Sequence, residues 1–159
     1  MTLPALDGSL FGAGQRCFGC APGHAGGLRL AFERRGDDVV TSFVPGDEHQ
    51  GPPGLMHGGL VMTLADELGV WTVLAIKERM AFTAGIHARQ TRPVRLGRAV
   101  EGRGRIARDS SRVVEVEIDL RQDGEPCFRG KLTFAVLDVA SAERLLGGPL
   151  PEEWKRFAR

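Results

Sequence analysis

The stretch GGLVMTLADELGVWTVLAIKER, residues 58–79, decides the fold. Leu60, Leu64, Leu68, Trp71 and Ala75 recur at steps of three and four residues, which places them on one face of a helix. Val61, Ala65, Val70, Val73 and Leu74 carry the apolar surface well around it. A helix this apolar on most sides lies in a core. Asp66 and Glu67 interrupt it, and a buried carboxylate is costly, so the pair calls for a role.

Upstream of the helix, PGDEHQGPPG (residues 45–54) has two adjacent prolines and three glycines, which predicts a shaped loop. Before it, Leu28, Leu30 and Phe32 alternate with Arg29 and Glu33, as in a strand. Val39 to Val44 is its expected hairpin partner, turned by Gly36-Asp37-Asp38. Residues 1–27, rich in Gly, Pro and Ala, read as an irregular N-terminal arm.

Downstream the period switches to two. Residues 81–91 read as a strand ended by Arg92-Pro93, and Val100, Gly102, Gly104 and Ile106 mark the next. Val114, Val116, Ile118 and Leu120 alternate with Glu115, Glu117 and Asp119, a strand with one face in the core and one in water. Asp123-Gly124 then turns the chain into a strand from Cys127 to about Val136. Two short helices are expected within 141–159. The prediction is an α+β domain over 28–140, with an antiparallel sheet of five to six strands wrapped around one long central helix.

A chain of 159 residues fits one domain, and a formal charge of +1 with both signs interspersed argues against a nucleic-acid or general polyanion binder. Neither a secretory signal nor an apolar run of membrane-spanning length is recognised, so a cytoplasmic protein without membrane contact is expected. Three cysteines without a signal peptide read as reduced thiols.

His57-Gly58-Gly59 sits where loop becomes helix. A helix N-terminus offers free N–H groups and partial positive charge, and glycines there let a ligand approach the backbone, which suits the oxygen of a polarised carbonyl. Plain turn formation is the blander alternative. Asp66 follows His57 by nine residues, half a turn away in projection and ~13.5 Å along the axis. It cannot reach a carbonyl held at its own helix start. Two helices antiparallel across a two-fold axis would bring each Asp66 to the other's Gly58, giving a symmetric dimer with two equivalent sites.

GLMHGGLVMTLADE (residues 54–67) closely resembles the central motif of hotdog-fold acyl-CoA thioesterases of the phenylacetate-catabolism type. Thr83 through Arg92-Pro93 and Leu96-Gly97 resembles that family's next strand and its Pro-containing end. The likeness covers roughly residues 28–137, and Cys17-Phe-Gly-Cys20 with Gly27-Leu28-Arg29-Leu30 looks like a bacterial subgroup. It implies a hotdog fold and hydrolysis of a small, medium-chain or aromatic acyl-CoA, with no cofactor, by a homodimer or homotetramer. It also implies that Gly58 N–H polarises the thioester carbonyl and that His57 supports the hole. The partner's Asp66 would act as nucleophile or general base, and Thr83 would help position the attacking water. Many members carry an Asn in the loop before His-Gly-Gly; here Gln50 is the candidate replacement.

Gly59 and Met56 are further candidates for contact with substrate, with Met62 and Leu68 as other lining residues, although core packing explains the apolar ones equally well. Arg89 and Arg92, in a locally basic stretch with Arg95, Arg98 and Arg103, are candidates for the CoA phosphates; a solvated strand face is the alternative. Glu67 should face away from Asp66 in a structural role or paired with an arginine. Cys17 and Cys20, with His24 as third ligand, lack a fourth cysteine or histidine nearby, so no metal is expected. A hotdog-fold hydratase or dehydratase, and a non-catalytic acyl-CoA-binding protein, are the rival functions.

Overall fold

A computed structural model describes residues 6–159. Its strands are β1 (Leu6–Asp7), β2 (Ala31–Arg35), β3 (Asp38–Phe43), β4 (Ala81–Gln90), β5 (Val100–Asp109), β6 (Val113–Gln122) and β7 (Glu125–Val136). Its helices are α1 (Gly58–Lys77), α2 (Val139–Leu146) and α3 (Glu152–Lys155). The strands form one seven-stranded sheet in the order β1-β2-β3-β5-β6-β7-β4, with every pairing antiparallel. The sheet curls around α1, which touches β2 through β7. This is the hotdog arrangement.

Packing explains how close the helix comes. Gly102 and Gly104 of β5 leave room for Leu68 and Thr72: a Cβ at Gly104 would lie 2.2 Å from Thr72 Oγ1. On the other side, Gly69 makes room for Phe134 of β7. Trp71 stacks on Phe32 at 5.1 Å between ring centroids, and Phe11 meets its edge. By length and mean hydropathy (1.5) α1 would pass for a membrane span, but half of it is buried within the fold, Val61, Leu64, Leu68, Trp71 and Val73 in the core.

Besides β7 and α2, which start two residues early at Glu125 and Val139, two boundaries differ from expectation. The first predicted strand begins later, at Ala31, because the N–H groups of Leu28 and Leu30 donate to the carbonyls of Phe18 and Gly19. Those two leucines are buried under the N-terminal segment instead of paired with β3. That segment also supplies β1 against β2, the seventh strand. The central helix ends at Lys77, where Glu78 turns left-handed (φ 52°) and its N–H donates to Leu74 O.

β4 is an edge strand, paired with β7 alone among the described residues. Thr83, Ile86, Ala88 and Gln90 stand opposite Phe134, Leu132, Gly130 and Phe128 of β7. The three large β7 side chains in that set are buried, so this row of β4 faces the α1 side of the sheet. It is incompletely covered there, since Ile86 is 42 % exposed.

Candidate active site

The loop before α1 is fixed from within. Gly46 N–H donates to Nδ1 of His49, whose buried ring lies edge-on to Phe43. His49 O accepts from His57 N–H at 2.8 Å, and Val94 O accepts from Met56 N–H at 2.8 Å. Gly51 is required by close approach: its Cβ would lie 2.9 Å from His57 Cα. His57 thereby becomes the N-cap of α1, with φ −57° and ψ 130°.

At the helix start, the backbone donors have separate fates. Gly59 N–H donates to His57 Nδ1 at 3.0 Å. Leu60 and Val61 N–H groups donate to His57 O. Gly58 N–H donates to nothing among the described residues. It is exposed, and a Cβ added there would meet only Gln90 Oε1, at 3.6 Å. One free amide at the positive end of a 20-residue helix is thus presented to solvent beside β4.

Asp66 lies on a face of α1 that the chain's own sheet covers only in part. Gly59, Thr63, Asp66 and Val70 follow one another along that face, exposed or half-buried. Thr83 Oγ1 donates to Asp66 Oδ1 at 2.7 Å. Burial raises the Asp66 pKa above the usual carboxylate value, and the Thr83 hydrogen bond opposes that shift. Eight residues of helix separate Asp66 from Gly58, about 12 Å of rise, so one chain does not bring the two groups together.

Over 120 residues the chain is 32 % identical to the Pseudomonas aeruginosa protein PA1618, which is named an esterase; the match covers 71 % of this chain and 81 % of that protein. The chain belongs to the thioesterase superfamily. The superfamily's sequence profile matches residues 53–127, which run from the end of the loop through α1, β4, β5 and β6. Among solved structures, the phenylacetic acid degradation-related protein of Ralstonia eutropha superposes with a TM-score of 0.65 at 24 % identity, covering 72 % of this chain and 90 % of that one. A Streptococcus pneumoniae thioesterase-type protein solved with coenzyme A gives 0.63 at 17 % identity, covering 67 % and 87 %. At these identities the two structures speak for the fold. Hotdog fold and thioester-hydrolase class, both expected from the sequence, stand on these matches.

Within this thioesterase the other singled-out residues are placed as follows. Gln50 is exposed and its Oε1 accepts from Gly54 N–H, so it braces the loop. Met56 lies in the core, 2 % exposed, and Leu68 is fully buried against β5; Met62 is half-buried. Arg89 is exposed on β4, and Arg92, also exposed, pairs with Glu125 at 3.5 Å. Gln90, unremarked in the sequence, neighbours Gly58.

Glu67 faces away from Asp66; Arg79 lines the same cavity, but among the described residues Glu67 has no salt-bridge partner. Cys17 Sγ donates to its Oε1 at 3.4 Å, and burial pushes its pKa up to about 8. No local spacing signals this contact, which spans fifty residues. His24 is not part of the cluster formed by Cys17, Cys20 and Glu67; its ring lies edge-on to Phe18.

Proposed function

We propose that this thioesterase hydrolyses acyl-CoA at two equivalent sites, each built from both subunits of a homodimer. The carrying observation is the Gly58 amide, left free while the neighbouring donors of the helix start are satisfied. It marks where a thioester oxygen would be polarised. Asp66 is the matching carboxylate, and its distance from Gly58 within one chain calls for a second copy.

The unpaired edge of β4 supplies the means. Ten residues of open strand edge are a template for pairing with another strand. Antiparallel pairing of β4 with its own copy, centred on His87 and with Ala84 left out of register as it is against β7, sets Ile86 opposite the partner's Ala88 and Thr83 opposite the partner's Gln90. Thr83 holds Asp66, and Gln90 adjoins Gly58. The same pairing covers Phe82 and Ile86, which are 49 % and 42 % exposed in the single chain.

In the proposed reaction the thioester carbonyl oxygen accepts from Gly58 N–H. Asp66 of the other subunit, held at Oδ1 by Thr83, takes a proton from water through Oδ2. The water oxygen bonds to the carbonyl carbon, and the tetrahedral intermediate expels the CoA thiolate, which takes the proton from Asp66 and restores its carboxylate. The products are a carboxylic acid and a thiol. A thioester is activated enough for one base and one well-placed donor. His57 shapes the hole by tying back Gly59 N–H. Arg89 and Arg92 lie on and just beyond β4 and suit the nucleotide phosphates. The coenzyme A seen with the Streptococcus pneumoniae relative supports that substrate class.

The test is thiol release over a panel of acyl-CoA esters by the parent and Asp66→Asn. Turnover in the parent and a loss of at least ~100-fold in the variant are expected for removal of a positioned base. Unchanged turnover in the variant overturns the assignment of Asp66. A new double bond or hydroxyl without free thiol would mean a lyase, and tight binding without turnover a carrier.

A further inference from the structure

The N-terminal segment makes a second constellation that thioester hydrolysis does not use. Its backbone is pinned: Gly8 N–H donates to Cys20 O, Ala21 N–H to Cys17 O, and Leu30 N–H to Gly19 O. This brings Cys17 and Cys20 down on α1 at Glu67. Gly19 is needed for the approach, since its Cβ would lie 2.2 Å from Glu67 Cδ. The two Sγ atoms and a Glu67 carboxylate oxygen all lie within 4.8 Å of one another.

Three further atoms sit there with unmet hydrogen-bonding capacity. Glu67 Oε2, Gln15 Nε2 and Arg79 Nε are buried without a hydrogen-bond partner. Their residues, with Cys17 and Cys20, line one cavity of about 150 Å³. Buried orphan polar atoms are costly, and several around one cavity imply an occupant that satisfies them.

We propose that Cys17, Cys20 and Glu67 bind one zinc ion, with a water or small anion from the cavity as fourth ligand. Two thiolates and a carboxylate are a zinc donor set. Tetrahedral zinc holds such ligand atoms about 3.6–3.8 Å apart, from metal–ligand distances of ~2.3 and ~2.1 Å. The observed 3.4 Å from Cys17 Sγ to Glu67 Oε1, and the 4.8 Å bound on the set, need little rearrangement. Zinc reduces the charge of the three anionic ligands from −3 to −1, and the Arg79 guanidinium in the same cavity offsets the remainder. A water in the fourth position accepts from Gln15 Nε2. The sequence offered no fourth cysteine or histidine; the carboxylate of α1 and the cavity supply what was missing. The ion staples the N-terminal segment to α1 one residue from Asp66.

Cobalt titration of the reduced, chelator-stripped chain tests this. One equivalent should bind with tetrahedral d–d bands and thiolate-to-cobalt charge transfer in the near ultraviolet, and zinc should displace it. Cys17→Ser and Cys20→Ser should each weaken the charge transfer, and the double variant abolish it. Glu67→Gln should weaken binding by more than ~10-fold, since even outer-shell partners are worth that much. His24→Ala should bind like the parent. Because the cysteine variants could unfold, the parent supplies a second reading: zinc should slow alkylation of Cys17. Absence of charge transfer in the parent, its survival without both cysteines, alkylation indifferent to zinc, or a Cys17–Cys20 disulfide persisting in reductant would each overturn the proposal.

Discussion

Gly58→Pro removes the proposed oxyanion donor while leaving the helix able to start. Gly58 is the first residue of α1, the position at which proline is best tolerated. The residue before proline must be extended, and His57 at φ −57°, ψ 130° already is. No hydrogen bond is lost, because Gly58 N–H has no partner among the described residues. Space is available too, the nearest atom to an added Cβ being Gln90 Oε1 at 3.6 Å. Stability should therefore hold or rise by ~0.4–1 kcal/mol, as when a compatible site is rigidified. Catalysis should not hold: losing one oxyanion donor costs ~2.7–4 kcal/mol, about 10²–10³ in kcat. The assay is thiol release from acyl-CoA with kcat and KM resolved, alongside denaturant unfolding. Gly58→Ala keeps the N–H and separates a lost donor from crowding. A folded Gly58→Pro enzyme with kcat within a few-fold of the parent would refute the role of this amide.

Thr83→Val deletes the hydrogen bond that holds Asp66 ionised against its burial. Without that bond burial acts unopposed, and the Asp66 pKa rises further. The acid limb of kcat/KM should move to higher pH: activity needs the carboxylate, so it is lost as pH falls through the raised pKa. A limb that stays put, measured against Thr83→Ser, would show that Asp66 is not the titrating base. Ile86→Asp places a charge on the open edge of β4 and should convert a dimer to a folded monomer, read by light scattering, with thiol release lost. Full activity in that monomer would refute a shared site.

The long helix and the strands from β5 to β7 were legible because their periods are local and their apolar faces pack as drawn: Val114, Val116, Ile118 and Leu120 are all fully buried. Leu28 and Leu30 misled because burial under a loop leaves the same alternation as burial in a strand. A two-residue β1 has no periodicity to detect. At the site, His57, Gly58 and Asp66 could be read from position on a single helix. The Thr83–Asp66 contact was not readable from spacing, as it depends on where β4 crosses α1. For Met56 the sequence left substrate lining and core packing open; its backbone pairs with Val94 and its side chain turns into the core. The Glu67–Cys17 contact was hidden altogether, since it depends on how the N-terminal segment folds back over the helix.

Complementation between two inactive chains tests the composite site most directly. If each site joins Asp66 of one subunit to the partner's Gly58, a mixed dimer of Asp66→Asn and Gly58→Pro chains holds one site with both lesions and one with neither. Unfolding and refolding an equal mixture should restore about a quarter of the parent's turnover per chain, half the dimers being mixed with one intact site each. A mixture as inactive as its components, with mixed dimers demonstrated by mass spectrometry, would mean that each chain carries its whole site.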